Sequence, residues 1–260
     1  MVTAADVEKL LYSWAPKELA EDWDNVGLLI GDAEREVKRV LVALDITEDV
    51  VDEAIRAGAD LIVAHHPVMN CAWHEVQTIR TDDMQGRKLT KLIEHRISAI
   101  CMHTNLDAAE GGVNDVLAAT LGLSGLEALG ADGIGRIGTL NGEKTLAQYL
   151  AFVLKSLSCR GIRYRDGGKP VHRVAVGGGA CGCYIAEALR KGCDTFVTSD
   201  LKYNDFLDTE GLNLIDAGHF PTEDVICDEL VRRIGEAFPA IHVQKSAVHA
   251  EVIHYYTTQM

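Results

Sequence analysis

The sequence predicts an α/β protein built from two related α/β domains, and three observations carry that expectation. Residues 39–66, RVLVALDITEDVVDEAIRAGADLIVAHH, align without a gap on residues 173–200, RVAVGGGACGCYIAEALRKGCDTFVTSD. Nine of the 28 positions are identical, among them Glu53/Glu187, Arg56/Arg190, Gly58/Gly192 and Asp60/Asp194, which marks an internal duplication. Each copy reads as a β-branched strand, a helix with apolar residues at helical spacing, a glycine C-cap and a second apolar strand, which is a βαβ unit. Helix-linked strands with near-continuous apolar runs imply parallel sheets covered on both faces.

Taken in order, the first helix is expected over about residues 4–14, with Thr3 as its N-cap and Asp6 three residues on. EDWDNVGLLIGD, residues 21–32, is a turn-rich connection into the first copy. The first copy ends in DLIVAHHP, residues 60–67, where an apolar strand delivers His65 and His66 before Pro67 stops it. ISAICMHTNLD then ends in His103-x-x-x-Asp107, and after the second copy LNLIDAGHFPTE ends in His219-x-x-x-Glu223. Each reads as a strand that delivers a histidine and, four residues later, a carboxylate in the first turn of a helix, where Pro221 and the helix dipole suit it. The glycine-rich stretch LGADGIGRIGTLNGEKT, residues 129–145, reads as the crossing into a second domain. The expected division is residues 127–215 as an inserted domain and residues 1–126 with 216–260 as the first. His242, His249 and His254 in the tail read as exposed strand positions without a role.

Composition bounds the function. The formal net charge of −14 disfavours bulk nucleic-acid and membrane-surface binding. The start, MVTAADVEKLLYSW, lacks a basic segment followed by an apolar one, and no apolar run approaches the roughly 20 residues of a membrane span. The seven cysteines contain no C-x-x-C pair, which fits reduced thiols in a soluble, cytoplasmic protein. Cys181 and Cys183 form a C-x-C that could supply metal ligands, with simply buried thiols as the stronger competing reading.

Adjacent strand residues point to opposite faces, so His65 and His66 do not easily share one ion, whereas two neighbouring ions take one each. His65, His66 and His219 with Asp107 and Glu223 form a nitrogen and oxygen donor set that suits zinc, manganese, iron or cobalt. Five donors are too many for one catalytic ion with open positions. Divided between two divalent ions with a carboxylate bridging, they leave room for a water acidified to hydroxide. Satisfied core or cap groups are the competing reading, and the joint occurrence at comparable strand ends weighs against it. His103 is open between a ligand, a group that orients one, and a proton carrier. A rival motif is GGGACG, residues 177–182, which fits G-x-G-x-x-G with Asp200 closing the next strand. It suggests either a dinucleotide site or backbone amides that hold an anionic part of a substrate.

The motifs WDNVGLLIG (23–31), ADLIVAHHP (59–67), HTNLDAAEGGVND (103–115), GCDTFVTSDLKY (192–203) and DAGHFPTE (216–223) resemble, in the same order, those of the Nif-three-like family. Its members carry the label GTP cyclohydrolase I type 2 homologue. The resemblance implies a dinuclear metal site with His65, His66, Asp107, His219 and Glu223 as ligands and Glu223 as the favoured bridge. It also implies a two-domain α/β subunit in a ring-shaped homohexamer, with sites facing an internal cavity. Two departures stand out: Asn204 replaces a histidine of the family's GD-x-K-Y-H, and the extra domain inserted in longer members is missing. The expected function is a dinuclear metal-dependent hydrolase of a small, nucleotide-like substrate, the label pointing to GTP ring opening, with His103 as the catalytic proton carrier. The alternatives are a non-catalytic metal-binding or metallocofactor-assembly protein, and a dinucleotide-binding protein.

Overall fold

Thr3 opens the first helix, α1 (Ala4–Trp14), through the expected capping box: its hydroxyl accepts from the Asp6 N–H at 3.2 Å and the Asp6 carboxylate accepts from the Thr3 N–H at 2.9 Å. The computed structural model describes residues 1–71 and 75–256. After α1 come β1 (Gly27–Ile30), β2 (Arg39–Ala43), α2 (Glu48–Ala57), β3 (Leu61–Ala64), α3 (Met84–Glu94), β4 (Ser98–Cys101), α4 (Thr104–Ala108) and α5 (Val113–Thr120). Then follow β5 (Ser124–Ala128), β6 (Arg136–Lys144), α6 (Leu146–Ser156), β7 (Arg163–Arg165), β8 (Val171–Val176), α7 (Ile185–Arg190) and β9 (Thr195–Thr198). The chain closes with α8 (Tyr203–Asp208), β10 (Asn213–Asp216), α9 (His219–Glu223), α10 (Val225–Ala237) and β11 (His242–Lys245). Among the described residues no helix is long and apolar enough to cross a membrane.

The chain divides into two compact units, residues 1–110 with 226–250 and residues 111–225 with 251–260. These bounds differ from the expected ones at 127 and 215. β5 pairs with β6, and β10 pairs with β9, so both strands join the second sheet and take their flanking helices with them. The end of the tail joins the second unit too, where Arg160 bonds His254 at 2.7 Å.

The first unit carries the sheet β1-β4-β3-β2-β11, in which β11, β2, β3 and β4 run parallel and β1 is antiparallel to β4. Leu41, Ile62 and Ala99 on its strands pack with Val50, Val51 and Ala54 of α2 and Leu89 and Leu92 of α3, all buried. The second unit carries the sheet β5-β6-β8-β9-β10-β7. Here β8, β9 and β10 are parallel, and β7 lies antiparallel to β10 as β1 does to β4.

The identities between the copies mark shared joints. Asp60 accepts from the Lys38 and Arg39 N–H groups at 2.8 and 3.1 Å, and Asp194 accepts from those of His172 and Arg173 at 2.9 and 2.7 Å. Arg39 donates to the Ala57 carbonyl at 2.7 Å and Arg173 to that of Lys191 at 3.2 Å, satisfying equivalent carbonyls at a helix end. Gly58 and Gly192 both leave their helices in the left-handed conformation, φ 62° and 74°. Replacing Asp194 with alanine orphans two backbone donors at the start of β8 and is expected to cost about 2 kcal/mol, measured by urea unfolding.

Candidate metal centre

In the first unit the residues of interest stand at the carboxyl ends of β3 and β4, where open α/β sheets hold ligands. β3 ends at Ala64, so His65 and His66 have already left the strand and its alternation no longer applies. Their rings do not splay to opposite faces but lie 5.0 Å apart between centroids, a correction to the expected geometry. His103, the N-cap residue of α4, brings its ring to 5.1 Å from His65 and 5.6 Å from His66. One nitrogen from each of the three imidazoles lies within 4.8 Å of the other two, so the three together could hold a metal ion. Asp107, on α4, sets Oδ1 3.6 Å from His65 Nε2.

Each ring is anchored by Nδ1. His65, wholly buried, donates to the Met102 carbonyl at 2.8 Å. His66 Nδ1 lies 2.7 Å from Asp45 Oδ1, and His103 Nδ1 lies 2.9 Å from Asp24 Oδ1. An Nδ1 engaged in this way fixes the tautomer and turns the Nε2 lone pair toward a cation. Asp24 is itself buried and also accepts from the Thr104 N–H and hydroxyl at 3.0 and 2.5 Å. Burial acts to raise its pKa, yet the His103 and Thr104 bonds outweigh it and hold the carboxyl at about 2. Burial likewise opposes ionisation of Asp45, and its bonds to His249 and His66 keep it well below the usual carboxylate range. Trp23 sets its ring edge-on to His103, with centroids 5.9 Å apart.

In the second unit β10 runs into α9, which carries His219 and Glu223 on one face, four residues apart. His219 Nε2 lies 3.0 Å from Glu223 Oε2, and its Nδ1 lies 2.6 Å from Asp200 Oδ2. Burial acts to lower the His219 pKa, but the two carboxylates push it up to about 11, so this position favours positive charge. Asp200 closes β9 with φ 56°, a left-handed backbone that aspartate tolerates better than most residues. The echo between His103-x-x-x-Asp107 and His219-x-x-x-Glu223 is one residue out of step. The Met102 N–H donates to the Ala64 carbonyl as the Ala217 N–H does to that of Thr198, which makes Gly218 the counterpart of His103. His103 and Gly218 are accordingly the two N-caps.

The glycine-rich loop after β8 turns its amides inward. The N–H of Gly177 donates to the Val197 carbonyl, that of Gly178 to Asn114 Oδ1 at 2.9 Å, and that of Gly179 to Thr222 Oγ1 at 3.0 Å. These donors do not serve an anion, and the loop leads into a short 3₁₀ turn rather than a regular helix, so neither reading of GGGACG gains support. Its role is steric: a Cβ on Gly179 would stand 2.1 Å from Glu223 Oε1 and 3.2 Å from His219 Nε2. Cys181 is buried with its thiol on the Gly178 carbonyl, while Cys183 is exposed. His242 is exposed as expected. His249 is not: its side chain is only 8% exposed and bonds Asp45.

The sequence stretch from residue 2 to 252 matches the family model Duf34/NIF3 (NGG1p interacting factor 3). The chain belongs to that family. It is 34% identical over 240 residues to a Clostridium perfringens protein named GTP cyclohydrolase 1 type 2 homolog, covering 89% of this chain and 90% of that one. A Clostridium acetobutylicum protein of the same name is 36% identical over 228 residues, 84% of either chain. The crystal structure of a Bacillus cereus protein related to NIF3 superposes with a TM-score of 0.91 at 28% identity, covering 98% of this chain and 99% of that one. The α/β, two-unit architecture is therefore that of the DUF34/NIF3 family, and the buried imidazole and carboxylate groups at its strand ends could hold a metal ion.

Proposed function

We propose that this chain is a metal-dependent hydrolase of a small, nucleotide-like substrate, with two divalent ions held by His65, His66, Asp107, His219 and Glu223. The observation that carries the reading is one device used four times: His65, His66, His103 and His219 each set Nδ1 on an oxygen acceptor. Metal-ligating histidines almost always hold the other ring nitrogen on such an acceptor, which fixes the tautomer and presents Nε2. When bound, zinc, manganese, iron or cobalt ions supply Lewis-acid polarisation of the substrate and acidify water. His103, oriented by Asp24, carries a proton to or from the substrate at Nε2. Trp23, 46% exposed, offers an aromatic face to a flat heterocycle. The name shared by the relatives directs the first assay to GTP ring opening, and the same reading includes self-association as a homohexamer, checked by light scattering.

Elemental analysis of untagged protein is expected to find about two ions per chain, and a His65→Ala, Glu223→Ala variant to lose them. No ion in the wild type, and no uptake from added metal, overturns the proposal. Asn204, where the family resemblance expects an imidazole, favours a second reading as a metal-binding or metallocofactor-assembly protein without turnover. Retained ions with GTP hydrolysis at background under all four metals supports that second reading for this substrate.

A further inference from the structure

We infer that His249, in the tail, is a positioning residue for His66: it clamps Asp45, and Asp45 in turn holds the His66 ring for its ion. The inference rests on the metal reading of His66 and adds a residue that the sequence left without a role. The clamp is a line of three side chains within the first unit. His66 Nδ1 meets Asp45 Oδ1 at 2.7 Å, and His249 Nε2 meets the other oxygen, Oδ2, at 3.1 Å. The same His249 nitrogen lies 3.1 Å from the Asp45 N–H. Carrying its proton on this nitrogen, the ring donates to the carboxylate and clamps the side chain.

Asp45 needs such a grip. It follows the end of β2, and its side chain is 41% exposed, so without His249 one oxygen turns toward water and the carboxylate is held by the His66 bond alone. Asp24, which holds His103, requires no counterpart because it is buried and fastened by Thr104. The tail is fastened to deliver His249. Beyond β11 the Ser246 N–H donates to the Val42 carbonyl at 2.7 Å, and the Ser246 hydroxyl donates to Glu53 Oε2 at 2.5 Å. The Ala247 N–H donates to Glu53 Oε1 at 3.0 Å, and the Ser246 oxygen accepts from the His249 N–H at 3.1 Å. Glu53 is one of the positions shared by the two copies. Its counterpart Glu187 binds Arg190 of its own helix, so anchoring the tail is particular to the first copy.

Two measurements on the full chain test the clamp. In metal-free protein, nitrogen-15 spectra of the imidazoles report the His66 tautomer, its signals assigned by their absence in His66→Ala. Wild type is expected to hold His66 protonated at Nδ1, His249→Ala to give a mixture of tautomers, and His249→Gln, which keeps a donor and an acceptor, to restore the single state. A His66 tautomer unchanged in His249→Ala overturns the inference whether or not metal binds. Competition titrations with zinc and with manganese are then expected to show affinity about 3–10-fold weaker in His249→Ala, recovered by His249→Gln, a smaller loss than for direct partners of a ligand. If wild type takes up no metal and His66→Ala changes nothing, the metal reading falls while the tautomer measurement still judges the clamp. If wild type binds and His66→Ala does not, equal affinity in His249→Ala and wild type overturns the positioning role alone.

Discussion

Replacing His65 with alanine is expected to weaken the binding of a divalent ion by at least about 100-fold, beyond the loss caused by altering a partner of a ligand. His65 has no exposed surface, and its Nδ1 is bound to a main-chain carbonyl, so the ring cannot swing away and no surface residue can replace it. The same change orphans the Met102 carbonyl and leaves a void, at a cost of about 1–3 kcal/mol for the acceptor alone. The two effects must therefore be separated. Ile62→Ala, on the preceding strand and equally buried, destabilises the same sheet without touching a donor. The expected result is that Ile62→Ala keeps its metal affinity in a chelator competition while His65→Ala does not. Equal affinities for His65→Ala and wild type remove His65 from the ligand set.

The ligand candidates were legible in the sequence because duplication repeats strand ends, and strand ends are where α/β sheets present polar side chains. The joints of the repeat were legible for the same reason: Asp60 and Asp194 perform one task twice. The groups that orient the imidazoles were harder to read. Asp24 sits in a turn with no periodicity, Asp45 in a connection whose counterpart in the second copy is glycine, and Asp200 resembled a ribose-binding acid. His249 was out of reach altogether, because it meets Asp45 across 204 residues of chain through a tail without a motif. The bounds of the two units differ from the expected ones for a related reason. Turn-rich composition marks where a chain leaves one element, but strand pairing decides which sheet the next one joins, and pairing is non-local. The pairing of His65 with His66 misled in the opposite direction: alternation is a property of strand residues, and the strand stops at Ala64, before either histidine.

Gly179→Ala is expected to disable the second unit's donors without altering either of them. The residue has φ +62°, which costs an alanine roughly 1–2 kcal/mol. Its loop cannot yield, because the Gly179 N–H is held by Thr222 and its carbonyl accepts from the Thr198 hydroxyl and the Cys181 and Ser199 N–H groups, each at 3.0 Å. The new methyl group, at 2.1 Å from Glu223 Oε1, therefore displaces the carboxylate, and His219, 3.2 Å away, moves with it. Metal affinity is expected to fall about 10–100-fold, the range for disturbing the support of a ligand. A double-variant cycle isolates the cause. In Glu223→Ala the obstructed carboxylate is gone, so adding Gly179→Ala to it should cost only the backbone term, less than Gly179→Ala costs in wild type. Strict additivity of the two stability losses would place the penalty in the backbone alone and leave the loop no part in setting Glu223.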